Sequence, residues 1–173
     1  MTTAQSVLQV LGKSAGLAAA GLLLLQLPLA ARAAVLDRVL LRRHRLRVHH
    51  VLGGVAVLCA LAHPLLLYAT PLYAVGDLDP SDWPVLVGAA GLLLVAVVAS
   101  SSLWRELLEL PFGTWRALHA FVPVAAALVA VHAAALGSDL VHPAMRWTWV
   151  GLFCLFGLGW LPARFLGTRR PGK

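Results

Sequence analysis

Five apolar stretches, near residues 10–31, 47–73, 84–103, 117–137 and 147–166, are each long enough to cross a hydrocarbon core of about 30 Å. Lipid offers no partners to backbone N–H and C=O groups, so such stretches close those bonds within helices. With 60% of 173 residues apolar and 12% charged, and a mean hydropathy of +0.83, the chain carries too little charge for a soluble domain of its size. The expected fold is an all-α integral membrane bundle of about five transmembrane helices, one domain over residues 1–173.

Charge placement orients that bundle. Arg32, Arg38, Arg42, Arg43, Arg45 and Arg47 fall between the first and second spans, Arg105 and Arg116 between the third and fourth, and Arg164, Arg169, Arg170 and Lys173 at or after the end of the fifth. Twelve of fourteen basic residues therefore share one side, which the positive-inside rule makes cytoplasmic. Lys13 and Arg146 fall on the other side with Asp77, Asp79, Asp82 and Asp139. The expectation is a multi-pass protein of the plasma (inner) membrane, N-terminus outside and C-terminus inside. Membrane orientation accounts for the net charge of +7, and no basic surface with interleaved aromatics suggests nucleic acid.

Ala31-Arg32-Ala33 resembles a signal-peptidase site, but only Lys13 precedes the apolar run and cleavage would carry six arginines outward, so the first span reads as a retained helix. Cys59 and Cys154, alone in apolar helices, read as small packing residues. Gly53, Gly54, Gly88 and Gly91 serve helix packing or leave room for a flat ligand, Gly53 and Gly54 favoured for the latter because they follow His49 by one turn. Trp83, Trp104, Trp115, Trp147 and Trp149 mark span ends as an aromatic belt. Pro28, Pro64 and Pro123 lie within spans, where they should bend them.

Against this background four histidines stand out, His49 and His63 in the second span, His119 and His132 in the fourth. A coordinating or ionisable side chain at membrane depth is costly enough to imply function. Separations of 14 and 13 residues put the members of each set roughly 20 Å apart along a helix, too far to share one ion. If the two spans lie side by side and run the same way, His49 faces His119 near one surface and His63 faces His132 near the other. Each facing pair is then a candidate axial clamp for one haem, and two haems stacked across a bilayer would conduct electrons.

Helical phase favours this for one span and opposes it for the other. Fourteen residues return to within about 40° of the starting face, whereas thirteen end about 140° away. A bend at Pro123, a large tilt or laterally offset haems would reconcile His119 with His132. Arg47 and Arg116 precede His49 and His119 closely and suit the anionic haem propionates, with Arg146 available on the other side. His50 reads as an interfacial neighbour, His44 as solvated and His142 as a loop residue. The plainer alternative is a haem-free membrane scaffold or assembly subunit whose histidines pack or bind protons. A transporter is disfavoured, because no Asp or Glu lies within a span.

The stretches Arg47-Val48-His49-His50-Val51-Leu52-Gly53, Leu61-Ala62-His63, Leu110-Pro111-Phe112-Gly113-Thr114-Trp115-Arg116-Ala117-Leu118-His119 and Val131-His132 resemble the ferric reductase-like transmembrane domain. That family forms the membrane core of ferric reductases and NADPH oxidases and is related to the haem-binding membrane subunit of a periplasmic methionine sulfoxide reductase system. The resemblance covers roughly residues 10–165. It implies transmembrane electron transfer through two b-type haems, each held by two imidazoles, with entry at His49–His119 and exit at His63–His132. The chain shows no glycine-rich dinucleotide fingerprint. The expected donor is therefore a separate flavoprotein reductase, a free flavin or a quinol, with FMN or FAD carried by a partner or loosely bound. The expected acceptor is on the outer side, for example a periplasmic or extracellular reductase. The chain would then be the oxidoreductase component of a larger system.

Overall fold

A computed structural model of the chain describes residues 2–30, 42–70, 80–137 and 142–166, and these are almost entirely helical with no strand among them. Arg32, Arg38, Asp77, Asp79, Asp139, Arg169, Arg170 and Lys173, on which the expected orientation partly rests, lie outside the described residues, as do positions 31 and 71–73 of the predicted spans.

Helix α1, Thr3–Ala30, begins well before the predicted apolar boundary at residue 10. The reason is a reciprocal cap: Thr2 N–H donates to Gln5 Oε1 at 2.9 Å, and Gln5 N–H donates to Thr2 Oγ1 at 3.4 Å. These bonds satisfy donors that a helix start otherwise leaves open, so hydropathy alone misplaces the end. Helix α2, Arg42–Tyr68, likewise starts within the arginine run and continues through Pro64. It closes as Thr70 Oγ1 and Thr70 N–H both donate to the Leu67 carbonyl, at 2.6 and 3.0 Å, just before a proline in the sequence.

A short 3-10 turn, Pro80–Asp82, leads into α3, Trp83–Leu103. Pro84 sits in its first turn, where a missing N–H costs nothing. The chain then turns through residues 105–109, with Glu109 in the left-handed region at φ 49° and Leu110 N–H returning to the Arg105 carbonyl at 3.0 Å.

The fourth predicted span is two helices, α4, Phe112–His119, and α5, Val122–Leu136. The interruption has a specific cause. Pro123 cannot donate to the carbonyl four residues back, which is that of His119. Ala120 N–H is shared between the carbonyls of Arg116 and Ala117, at 3.1 and 3.2 Å, and Phe121 N–H tightens the chain by bonding that of Leu118 at 3.1 Å. Each residue of such a tight turn advances by about 120° rather than about 100°, which removes part of the phase error between His119 and His132. The last helix, α6, is Pro143–Leu166. By length and composition Thr3–Ala30, His44–Tyr68, Trp83–Leu103 and Phe112–Leu136 can cross a membrane, and α6, at 24 residues or roughly 36 Å, has the length to do so.

Two intimate helix pairs organise the bundle, α1 with α2 and α3 with α5. Small residues let them approach. Gly12 leaves room for Leu67, since a Cβ there would come within 2.9 Å of Leu67 Cδ2, and Gly91 seats Val129 and Leu128. The pairs join where Leu24 and Leu27 of α1 meet Ala126 and Val122 of α5, with Trp149 and Phe153 of α6 packed over them. Large apolar side chains such as Leu58, Leu65 and Leu93 are exposed, as lipid-facing positions should be. Cys59 and Cys154 are free thiols.

Candidate functional site

Helices α2 and α5 make almost no close backbone approach, yet their histidines meet across the space between them. The ring of His63 lies 6.0 Å from that of His132, centroid to centroid, at 80° between planes. The ring of His49 lies 6.0 Å from that of His119 at 63°. The two spans therefore run the same way, and all four rings are half-buried.

Each ring is held from behind at Nδ1. His63 Nδ1–H donates to the Gly12 carbonyl at 2.8 Å, and His132 Nδ1–H donates to the Pro84 carbonyl at 2.7 Å. A carbonyl only accepts, so both rings carry the proton on Nδ1 and leave Nε2 as a free lone pair. One device makes both bonds possible. Four residues beyond each carbonyl is a glycine, Gly16 or Gly88, whose bare backbone admits the imidazole. A Cβ on Gly16 would lie 2.6 Å from His63 Nδ1, and a Cβ on Gly88 would collide with His132 Nδ1 still more closely. The α1–α2 and α3–α5 pairs thus use the same arrangement twice.

At the arginine-rich end the acceptors are side chains. Ser102 on α3 donates its hydroxyl to the Val98 carbonyl at 2.9 Å and accepts from Trp115 Nε1–H at 3.1 Å. Its remaining lone pair faces His119 Nδ1 at 3.3 Å, which again assigns the proton to Nδ1. Trp115 also stacks against His119, with centroids 5.1 Å apart. This tryptophan belongs to the site as well as to the aromatic belt. Behind His49 lies Gln26 of α1, only 4% exposed, whose amide reaches both His49 and Gly53 N–H.

Beside the His49–His119 pair opens a cavity of about 1100 Å³, lined among others by Arg45, Arg105, Arg116, Phe112, Trp115 and His50. The Arg105 guanidinium lies over both Phe112 and Trp115, at 5.3 and 5.5 Å from the ring centres. The lining joins aromatic faces to three guanidinium groups and also carries the carboxylates of Glu106 and Glu109, so its rings suit a flat molecule and its arginines suit carboxylates on that molecule's edge. Arg116 is among the lining residues; Arg47 is exposed and is not. Helical phase explains the difference, because Arg45 is one turn from His49 on the same face and Arg47 is not. Arg45 is 4% exposed.

Sequence reasoning placed the four histidines but missed Gly12, Gly16, Gln26, Pro84 and Ser102, and gave Trp115 to the belt alone. A polar Gln26 in an apolar span was a usable signal. The carbonyls of Gly12 and Pro84 had none, since any residue has one. Of the favoured glycines, Gly53 faces Gln26 at ordinary contact distance and Gly54 has nothing within 4 Å. His44, His50 and His142 are exposed, His50 with its ring 5.9 Å from that of His49.

Fold and site together define a multi-pass, all-α membrane protein that presents two facing histidine pairs between its helices. The chain belongs to the family described as ferric reductase like transmembrane component, whose model matches residues 15–130. Membership points to transmembrane electron transfer. The match includes His49, His63 and His119 and ends two residues before His132. Neither a curated protein nor a solved structure matches the chain.

Proposed function

We propose that the chain carries electrons across the membrane through two b-type haems, one clamped by His49 and His119 and the other by His63 and His132. The observation that carries this reading is the pairing of rings at 6.0 Å with Nδ1 held from behind. Metal–imidazole bonds of about 2 Å, with about 1 Å more from each nitrogen to its ring centre, set two axial rings roughly 6 Å apart. Anchoring of the distal nitrogen is how ligating histidines are usually oriented and made more basic. Among the described residues no group of three or more His, Cys, Asp or Glu side chains could hold a bare ion. A pair of imidazoles suits a metal whose other ligands come with a macrocycle.

When bound, haem supplies one-electron redox chemistry. The residues of this chain supply the rest. Nε2 of His49 and His119 would hold one haem iron and Nε2 of His63 and His132 the other. Arg116, Arg105 and Arg45 would pair with the haem carboxylates at the cavity end, where Phe112 and Trp115 would shield the haem from water. The positive-inside rule makes this end cytoplasmic. Electrons enter there from a separate flavoprotein, free flavin or quinol and leave beside His63–His132 to an acceptor on the outer side.

The test is the haem-to-protein ratio of the full chain in detergent, with a dithionite-reduced minus oxidised spectrum. Two low-spin b-type haems per chain is the expected result. Haem-free protein from haem-replete cells would overturn the proposal and favour a scaffold.

A further inference from the structure

The chain that joins α3 to α4 is apolar where a loop in water would be polar. Leu103, Trp104, Leu107, Leu108 and Phe112 are all at least half exposed, Leu107 at 80% and Leu103 at 76%. Single exposed hydrophobics are ordinary, whereas five within residues 103–112 form a patch that lipid or another macromolecule must cover.

The backbone explains how that patch is held together. Leu108 N–H returns to the Trp104 carbonyl at 2.8 Å, one helical turn back, and the N–H groups of Glu109 and Leu110 return to the carbonyls of Glu106 and Arg105 at 3.1 and 3.0 Å. With Glu109 in the left-handed region, this pair of bonds is the arrangement that closes a helix end. Residues 104–108 are thus one capped turn, and its two sides differ. Arg105, Glu106 and Glu109 line the cavity beside His49 and His119, whereas Trp104, Leu107 and Leu108 do not. Leu103 and Phe112 line the cavity and are exposed as well, which makes them its apolar rim. The turn is an amphipathic wall with its polar side toward the cavity.

What covers the apolar side follows from its continuity with α3. Leu86, Leu93, Val97, Trp104 and Leu108 are all exposed and stand 7, 4, 7 and 4 residues apart. That spacing keeps them on one helical face. The first three belong to a helix long and apolar enough to cross the membrane, so over that length the face meets lipid. It runs on without interruption through the capped turn, and Phe112 at the far end begins the next such span. Trp104 and Trp115, side chains typical of the membrane boundary, bracket the segment.

We propose that residues 103–112 are an interfacial anchor whose partner is the bilayer itself. The turn lies in the lipid headgroup layer with Trp104, Leu107 and Leu108 at the acyl boundary, as an in-plane amphipathic element does. The cavity is therefore entered at headgroup depth, across the rim of Leu103 and Phe112, rather than from bulk water.

The test uses the full chain in nanodiscs of phosphatidylcholine and phosphatidylglycerol, with Cys59→Ala and Cys154→Ala so that one introduced cysteine carries a nitroxide label. Labels are placed through Leu107→Cys, Leu108→Cys, Glu106→Cys and, as a control on the lipid-facing stripe, Leu93→Cys. Power saturation compares collisions with oxygen, which partitions into lipid, and with a water-soluble nickel chelate. The expected oxygen-to-chelate ratio at positions 107 and 108 is close to that at 93 and above that at 106. Chelate access at 107 and 108 equal to that at 106 would put the turn in water and overturn the proposal. Shielding of both positions from both reagents would mean that protein covers them, and would overturn it equally. A label at position 93 that favours the chelate would remove the lipid-facing stripe and the proposal with it. None of these readings depends on haem, so they stand or fall apart from the function proposed above.

Discussion

Gly88→Ala concentrates the structural argument in one methyl group. Its Cβ would collide with His132 Nδ1, and the obstacle is a stiff ring pinned at 2.7 Å to the Pro84 carbonyl. The ring must swing away and lose that bond. Loss of the hydrogen bond costs about 0.5–1.5 kcal/mol and the forced displacement about 1–3 kcal/mol. Against these stands a helix-propensity gain of up to about 1 kcal/mol. The net expectation is a destabilisation of about 1–3 kcal/mol, and a misdirected ligand should weaken haem at that pair about 10–100-fold. Gly21→Ala is the control, with nothing within 4 Å of its added carbon, and should be neutral or slightly stabilising. Thermal unfolding in detergent and haem stoichiometry read both effects. If Gly88→Ala melted with the wild type and kept two haems, the claim that this glycine exists to seat His132 would be wrong.

Other perturbations follow from the same geometry. His63→Ala and His132→Ala should each remove one haem, and the same one, as judged by stoichiometry; loss of different components would break the pairing. Pro123→Ala restores a donor to the His119 carbonyl and should let α4 and α5 run on as one helix, raising helicity by circular dichroism while reducing haem to about one per chain as His119 and His132 fall out of phase. Glu109→Gly relieves a non-glycine residue at φ 49° and should stabilise the chain by about 1 kcal/mol in thermal unfolding. Trp115→Phe keeps the stacking face but removes the donor to Ser102, and should disturb the spectrum of the His49–His119 component more than that of the other.

Hydropathy overlapped each long helix among the described residues, because burying backbone groups in lipid leaves few choices, but it read α4 and α5 as one span and misjudged helix ends wherever side-chain bonds extend a helix past its apolar segment. Thr2 and Gln5 carried a readable capping pattern that the apolar count ignored. Phase arithmetic flagged the awkward spacing of His119 and His132, and Pro123 was in view as a remedy. Chain order could not say that the remedy is a break in the helix, with a shared bond at Ala120 and a tightened one at Phe121. The same arithmetic, applied to arginines, sets Arg45 rather than Arg47 on the face of His49.

The sequence by itself determined that this is a membrane-spanning helical chain and how far apart along it the four histidines stand. Those properties follow from transfer energies and helix rise, both local along the chain. Only the tertiary structure decided which histidine faces which, and what holds each ring from behind. The anchors come from other helices: the carbonyls of Gly12 and Pro84, the hydroxyl of Ser102 and the amide of Gln26. A hydrogen bond between helices depends on how closely and at what rotation they pack, and glycines at Gly16 and Gly88 gain their meaning only once a ring lies against them.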